Sequence, residues 1–278
     1  MLSSKNLGVI GAGNMGEAFI RGILKTCLVY PEQVIASRRN EEKLKKIRDE
    51  LGIRITTDNK ELLKNVDVVI LGVKPQIMRD VLTETAEYFN ENQIVISIAA
   101  GIKTSFIENM INKKIPVIRV MPNTPALVEE AVSAYCYGKY ATCEHALTAV
   151  GILSTIGVTV QVEEEQMDHI TAVSGTGPAY IFYILEALTE AAKTLGLPEN
   201  LSRSLVKQTV YGAAKLVVET GLDPSRLRAQ VTSPGGTTQA AIMHLESKDY
   251  IGVIKEAVQA ASKRATELGM ISSQVKQT

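Results

Sequence analysis

The chain has little of what disulfide, metal or membrane chemistry requires. Its 278 residues include only three cysteines (Cys27, Cys136, Cys143) and three histidines (His145, His169, His244). An odd number of cysteines without C-x-x-C spacing excludes a disulfide framework, and the scattered histidines form no H-E-x-x-H pair, so no metal site is expected. Such thiols suit the reducing cytoplasm. Net charge is also missing: 30 basic residues balance 30 acidic ones, so neither nucleic acid nor an anionic membrane is expected as a partner. No apolar run is long enough to span a bilayer. The N-terminus lacks a signal peptide's apolar core, because Val9 and Ile10 run straight into glycines. What remains, 45% hydrophobic and 22% charged, is the composition of a globular protein with room for two domains.

The first organised feature is G-x-G-x-x-G. An apolar run over 7–10 predicts a buried strand, residues 15–25 predict a helix, and Gly11, Ala12, Gly13, Asn14, Met15 and Gly16 lie between and into them. Gly11 permits the tight turn, Gly13 lets backbone approach a pyrophosphate, and Gly16 lets the helix pack closely on the strand. The N–H groups of the first helical turn then face the phosphates. This predicts a dinucleotide site.

A second absence selects the dinucleotide. An NAD site usually places a carboxylate at the end of the second strand. Here the strand over 33–37 ends in Ala36, Ser37, Arg38 and Arg39. A hydroxyl and two guanidinium groups suit a 2′-phosphate, since arginine makes forked, charge-assisted bonds to phosphate. NADP(H) is therefore the preferred cofactor, with NAD(H) second.

Strands and helices alternate through the first half. Further strands are expected over 53–56, 67–72, 94–98, 116–121, 131–137 and 158–162. Helices are expected over 59–65, 78–89, 105–111 and 144–155. This alternation predicts an α/β fold with a Rossmann-like, doubly wound, mostly parallel sheet. From Glu163 the character changes, and only helical apolar spacing follows: 178–195, 201–219, 239–245 and 251–268. Domains 1–163 and 164–278 follow, the second all-helical. The helix over 178–195 is apolar on nearly every face, more than a small domain can bury alone, so pairing with a second copy is expected. The tail from Gly269 is expected to fray.

Ligands of open α/β sheets bind beyond the carboxyl ends of the strands. The loops there hold Val73, Lys74 and Pro75, then Ala99 and Ala100, then Asn123. In the helical half, Ser174-Gly175-Thr176-Gly177-Pro178 and Ser233-Pro234-Gly235-Gly236-Thr237-Thr238 both read as glycine-rich helix openings able to offer N–H groups to a small anion such as a carboxylate. These loops lack His, Asp, Glu and Cys. Reduction of a ketone normally needs a general acid, whereas a cyclic imine that arrives protonated needs only alignment with the nicotinamide.

Six stretches carry a resemblance over essentially the whole chain: IGAGNMGEAF (10–19), GVKPQ (72–76), SIAAGI (97–102), MPNTP (121–125), SGTGPAY (174–180) and VTSPGGTTQAAI (231–242). Together they resemble the pyrroline-5-carboxylate reductase family. The resemblance implies NADPH-linked reduction of 1-pyrroline-5-carboxylate to L-proline, with hydride passing from nicotinamide C4 to the iminium carbon. It implies a Rossmann domain and a helical domain that makes homodimers, with higher assemblies such as decamers. By similarity Gly11, Ala12, Gly13, Asn14, Met15 and Gly16 hold the pyrophosphate. Ser37 with Arg38 or Arg39 faces the 2′-phosphate, and Asn59 reaches the ribose. Val73, Lys74 and Pro75 line the cofactor, with Ala99, Ala100 and Asn123 near the nicotinamide. Ser233, Pro234, Gly235, Gly236, Thr237 and Thr238 take the substrate carboxylate, and Thr238, bonded to the ring nitrogen, is the catalytic candidate. Thr171 and Ser174 are further substrate contacts. The segment 233–238 can come from the neighbouring subunit in such enzymes. An acidic residue near the position of Gly221 is missing here, Glu219 being the nearest.

Two alternatives stay open on the residues alone. A β-hydroxyacid dehydrogenase-like NADP enzyme uses a lysine in G-x-x-K-x-x-x-N; here Gly212 and Lys215 match, but Glu219 takes the place of the Asn. A nucleotide-sensing protein without turnover would not need a second anion loop.

Overall fold

The expected alternation is realised in the computed structural model, which describes residues 2–273. Eight strands form one sheet: β1 (Leu7–Ile10), β2 (Val34–Ser37), β3 (Arg54–Thr56), β4 (Val68–Leu71), β5 (Ile94–Ser97), β6 (Val117–Met121), β7 (Ala131–Tyr137) and β8 (Gly157–Gln161). Their order across the sheet is β3-β2-β1-β4-β5-β6-β7-β8. Helices α1 (Asn14–Lys25), α2 (Glu41–Leu51), α3 (Asn59–Leu63), α4 (Pro75–Thr85), α5 (Thr104–Ile111) and α6 (Cys143–Leu153) connect them.

The apolar runs fold as two-sided strands because both faces of the sheet are covered. Successive residues of β4 split between two hydrophobic clusters: Val68 and Ile70 join Phe19, Ile20 and Ile23 of α1, while Val69 and Leu71 join Met78 and Leu82 of α4. This is the period of two that a strand dictates. Local signals end the helices as chemistry requires. Asn40 accepts a bond from Lys43 N–H at the start of α2, and Gly52, at φ 68°, closes it in the left-handed conformation.

One strand departs from a purely parallel reading. β7 pairs antiparallel with β6, Arg119 opposite Cys136 and Met121 opposite Ala134. Residues 122–130 between them hold only the short 3₁₀ turn Thr124–Val128, too little for a parallel crossover, which takes a dozen or more residues. β8 returns to parallel pairing with β7, after α6.

Beyond β8 the chain enters α7 (Met167–Ile170) and a π-helical turn, Thr171–Gly175, and then α8 (Gly177–Thr194). Four helices follow: α9 (Glu199–Thr220), α10 (Pro224–Gln230), α11 (Thr237–Ser247) and α12 (Tyr250–Ser273). Among the described residues, 2–176 with 261–273 form one compact unit, and 177–260 form another. α12 runs through Gly269 to Ser273, helical where a frayed tail was expected; the tail's last residues, 274–278, lie outside the described residues.

The helical unit leaves its apolar side chains open. Among described residues 177–260 only Ser202 is fully buried, while Ile181, Phe182, Tyr183, Leu188, Val218 and Ile251 are all exposed. The single chain does not bury the apolar helix over 178–195. No helix of the described residues is long and apolar enough to cross a membrane.

Candidate active site

Strand order reverses at β1 and β4, the topological switch point at which open α/β sheets bind ligands. A cleft of about 330 Å³ opens there. Gly11 and Gly13 line it from β1, Ser37, Arg38 and Arg39 from β2, and Asn59 from α3, with Gly72, Val73 and Lys74 from the β4 loop. Eight residues expected to hold the cofactor thus meet in one place: Gly11, Gly13, Ser37, Arg38, Arg39, Asn59, Val73 and Lys74.

Each glycine acts through a different contact. Gly11 stands at φ +90°, and a Cβ there would lie 2.8 Å from the Gly72 backbone and 2.7 Å from a Val73 methyl. The loops after β1 and β4 are therefore in contact, and Gly72 N–H donates to Ile10 O at 2.8 Å. A Cβ on Gly16 would lie 3.0 Å from Gly11 O and 3.1 Å from Val9, which is the close helix–strand packing. Gly13 differs: its nearest neighbour to a Cβ is Gly11 O at 4.0 Å. No protein atom fills that space, which lies ahead of the first turn of α1. Gly13 caps α1 without a side-chain bond, so the first N–H groups point outward as an anion site.

The remaining walls are held by hydrogen bonds. Ser37, buried at the end of β2, donates from Oγ to Asn59 Oδ1 at 2.6 Å. Arg38 donates from Nη1 to Ala12 O at 3.1 Å, and Ala12 N–H donates to Ser37 O at 2.9 Å. Ala12 thus spends both backbone groups on the fold and its methyl in the core. Arg39 is exposed at the rim. Asn14 is exposed, Met15 packs against the core, and Pro75 opens α4 with Lys74 as its cap. Reading the sequence alone missed Asn40, Thr57 and Ile77 in the lining. Thr57 follows β3 directly, so the strand-end rule points to it.

Ala99, Ala100 and Asn123 lie outside this cleft. Ala99 is buried and Ala100 half-buried. Asn123 is buried and tied on both sides of its amide: Nδ2 donates to Ser174 O at 3.3 Å, and Oδ1 accepts from Val132 N–H at 3.1 Å. Asn123 therefore holds the π-helical turn that carries Thr171 and Ser174. That stretch is not the capped helix opening expected from Ser174-Gly175-Thr176-Gly177-Pro178. Thr176 N–H donates back to Thr171 O at 2.8 Å, so the backbone runs on from α7 with no free terminus. Single π turns within helices are frequent at functional sites.

The loop 233–238 lies in the helical unit and does open a helix, α11. Gly235 stands at φ +72°, a left-handed conformation that glycine adopts without steric cost. A Cβ on Gly236 would lie 2.5 Å from Ser233 Oγ. Gly236 N–H donates to Ser233 O at 3.1 Å, and Gly235 N–H to Gln239 Oε1 at 2.7 Å. The amides left for an anion are those of the first turn, at Thr237 and Thr238. Thr238 is half-buried, and among the described residues its hydroxyl has no hydrogen-bond partner. Pro234 stiffens the approach.

Lys215 sits on α9 and pairs with Glu219 at 3.5 Å along one exposed helix face. A surface i,i+4 pair of this kind carries no catalytic geometry. Among the described residues no group of His, Cys, Asp and Glu is placed to hold a metal ion. Cys136 is buried, and burial, with Glu164 nearby, pushes its thiol up to about 12, which makes it an inert core thiol.

Comparison with known proteins agrees with this geometry. Residues 164–268 match a family model described as pyrroline-5-carboxylate reductase dimerisation, and residues 6–101 match one described as NADP oxidoreductase, coenzyme F420-dependent. The pyrroline-5-carboxylate reductase of Methanosarcina acetivorans is 42% identical over 96% of this chain and 99% of its own length. That of Arabidopsis thaliana is 38% identical over 95% of this chain and 96% of its own. Among solved structures, a pyrroline-5-carboxylate reductase from Coxiella burnetii superposes with a TM-score of 0.89 at 37% identity, over 95% of this chain and 98% of that one. The Plasmodium falciparum pyrroline carboxylate reductase with NADP bound gives 0.87 at 29% identity, over 97% and 100%.

Proposed function

Since this chain belongs to the pyrroline-5-carboxylate reductase family, we propose that it reduces 1-pyrroline-5-carboxylate to L-proline with NADPH, the last step of proline synthesis. The observation that carries this reading is the division of chemistry between two glycine loops. One, at the switch point, is built for a dinucleotide; the other, at α11, is built for a small anion.

The cleft residues fit NADP. The space in front of Gly13 admits a pyrophosphate, the first-turn amides of α1 meet its charge, and Ser37 with Asn59 offers polar atoms to the ribose. Arg39, with Arg38 beside it, supplies the cation a 2′-phosphate needs. NADH lacks that phosphate and forfeits the Arg39 contact, so it serves as the weaker cofactor. When bound, NADPH supplies the hydride that the iminium carbon of the substrate accepts.

The protein's own part is positioning. The amides of Thr237 and Thr238, within the segment Ser233, Pro234, Gly235, Gly236, hold the substrate carboxylate at the positive end of α11. The Thr238 hydroxyl oxygen accepts a hydrogen bond from the protonated ring nitrogen and orients the imine. Thr171 and Ser174 contact the same substrate, and Ala99, Ala100 and Asn123 form the wall at the nicotinamide end. No residue need move a proton onto carbon, in keeping with loops that carry hydroxyls and amides rather than acids.

The functional boundary is proposed at 163/164, where the dimerisation match begins. The exposed apolar side chains of α8, α9 and α12 support a homodimer, and a decamer of such dimers is the proposed larger assembly. Three free thiols support the cytoplasm as the compartment. The test is to supply purified protein with NADPH and 1-pyrroline-5-carboxylate and to measure both nicotinamide oxidation and proline. One proline per NADPH is expected. Oxidation with a 3-hydroxy acid and NADP, lost in Lys215→Ala, would instead support the β-hydroxyacid dehydrogenase reading; NADPH binding without turnover would support a sensor.

A further inference from the structure

β6 carries the one buried charge among the strands of the sheet, Arg54 of the edge strand β3 being exposed. Arg119 lies in mid-strand between Ser97 of β5 and Cys136 of β7, and its side chain is only 5% exposed. A buried guanidinium is costly unless paired. This one is paired twice: Nη1 lies 3.3 Å from Glu164 Oε1, and Nη2 lies 3.3 Å from Asp168 Oδ1. The two carboxylates are four residues apart, so on a helical segment they project from one face. Glu164 is fixed further by Thr104, whose N–H and Oγ1 donate to it at 2.8 and 2.9 Å.

The next residue on the same face of β6 continues the grip. Side chains alternate along a strand, so 119 and 121 point to one side. Met121 meets Gly175, where a Cβ would lie 2.5 Å from its Cε. Asn123, just past the strand, donates to Ser174 O. β6 and the loop that follows it thus hold the segment 164–175 at three points, and the Arg119 ion pairs fix its rotation before the π turn begins. An apolar contact would allow the helical segment to roll; a two-pronged guanidinium between Glu164 and Asp168 does not.

We propose that Arg119 is a positioning residue, which through Asp168 and Glu164 aims Thr171 and Ser174 of the π turn at the substrate. It rests on the reading above that these two residues contact the substrate. Arg119 itself touches no substrate. Arg119, Glu164 and Asp168 line none of the cleft that β1, β2 and β4 offer the dinucleotide, so these ion pairs act on substrate affinity and not on cofactor affinity.

The test uses the full-length protein and three variants. Asp168→Asn keeps the shape and removes one charge, and it stands whether or not Arg119→Met folds. Arg119→Lys keeps the charge and loses the fork. The expected result for Asp168→Asn is a substrate KM raised by about tenfold, the scale of one charge-assisted bond, with NADPH Kd within about twofold of wild type. Arg119→Met is expected to show a larger rise and Arg119→Lys an intermediate one. An unchanged substrate KM in folded Asp168→Asn and Arg119→Lys overturns the proposal. So does a parallel loss of NADPH affinity, which would mark general loosening. If wild type itself fails to reduce the imine, the functional reading falls and takes this one with it; an active wild type with unmoved variants removes the positioning role alone.

Discussion

Arg38 and Arg39 adjoin in sequence and line one cleft, yet the structure gives them different work. Arg38 is half-buried and donates to Ala12 O, bracing the glycine loop that either cofactor must use. Arg39 is exposed at the rim and, on the proposed reading, serves the 2′-phosphate alone. Arg39→Ala is therefore expected to weaken NADPH by about tenfold, the worth of one bond to a charged group, and to leave NADH unchanged. Arg38→Ala is expected to weaken both cofactors. Titrations of each variant with NADPH and NADH check this, and equal losses of NADPH and NADH in Arg39→Ala would show that Arg39 does not read the 2′-phosphate.

At the scale of the element, the glycine loop separates folding from binding. Gly11 is needed by the fold, because its positive φ and its 2.7–2.8 Å approach to Val73 and Gly72 leave no room for a methyl group. Gly13 is not needed by the fold, because a Cβ there would meet no protein atom nearer than 4.0 Å, and on the proposed reading it is kept for the ligand. Gly13→Ala is expected to keep the wild-type Tm and lose NADPH affinity, whereas Gly11→Ala is expected to lower Tm; calorimetry beside cofactor titration distinguishes the two. This loop was legible in the sequence because its chemistry is local: an apolar run, three spaced glycines, a helix. Other elements were legible only in part. The direction of β7 follows from the short connection 122–130, a length argument that alternation alone does not make. The stretch at Ser174 has the residues of a helix opening, but its backbone is already engaged by Thr171, a bond that composition does not announce. The Arg119 clamp has no local signature, since its partners lie 45 and 49 residues further along.

At the scale of the whole molecule, the sheet unit satisfies its own core and the helical unit does not. Phe182 and Val218 are 55% and 82% exposed, and burying each such side chain contributes about 1.5–3 kcal/mol. A second copy is the economical cover, in keeping with the dimerisation match over 164–268. Phe182→Glu is expected to shift the sedimentation profile from dimer or larger towards monomer and to lower activity in proportion. A fully active monomer of this variant would remove the need for the partner.

On the proposed reading the loop before α11, and not an acid or a metal, orients the substrate. Thr238→Ala in the NADPH-dependent reduction of 1-pyrroline-5-carboxylate tests it most directly. The predicted result is kcat/KM lower by about tenfold or more, at least ~1.4 kcal/mol of transition-state stabilisation, with NADPH affinity unchanged. A folded Thr238→Ala protein that reduces the imine as fast as wild type would show that Thr238 does not orient the substrate.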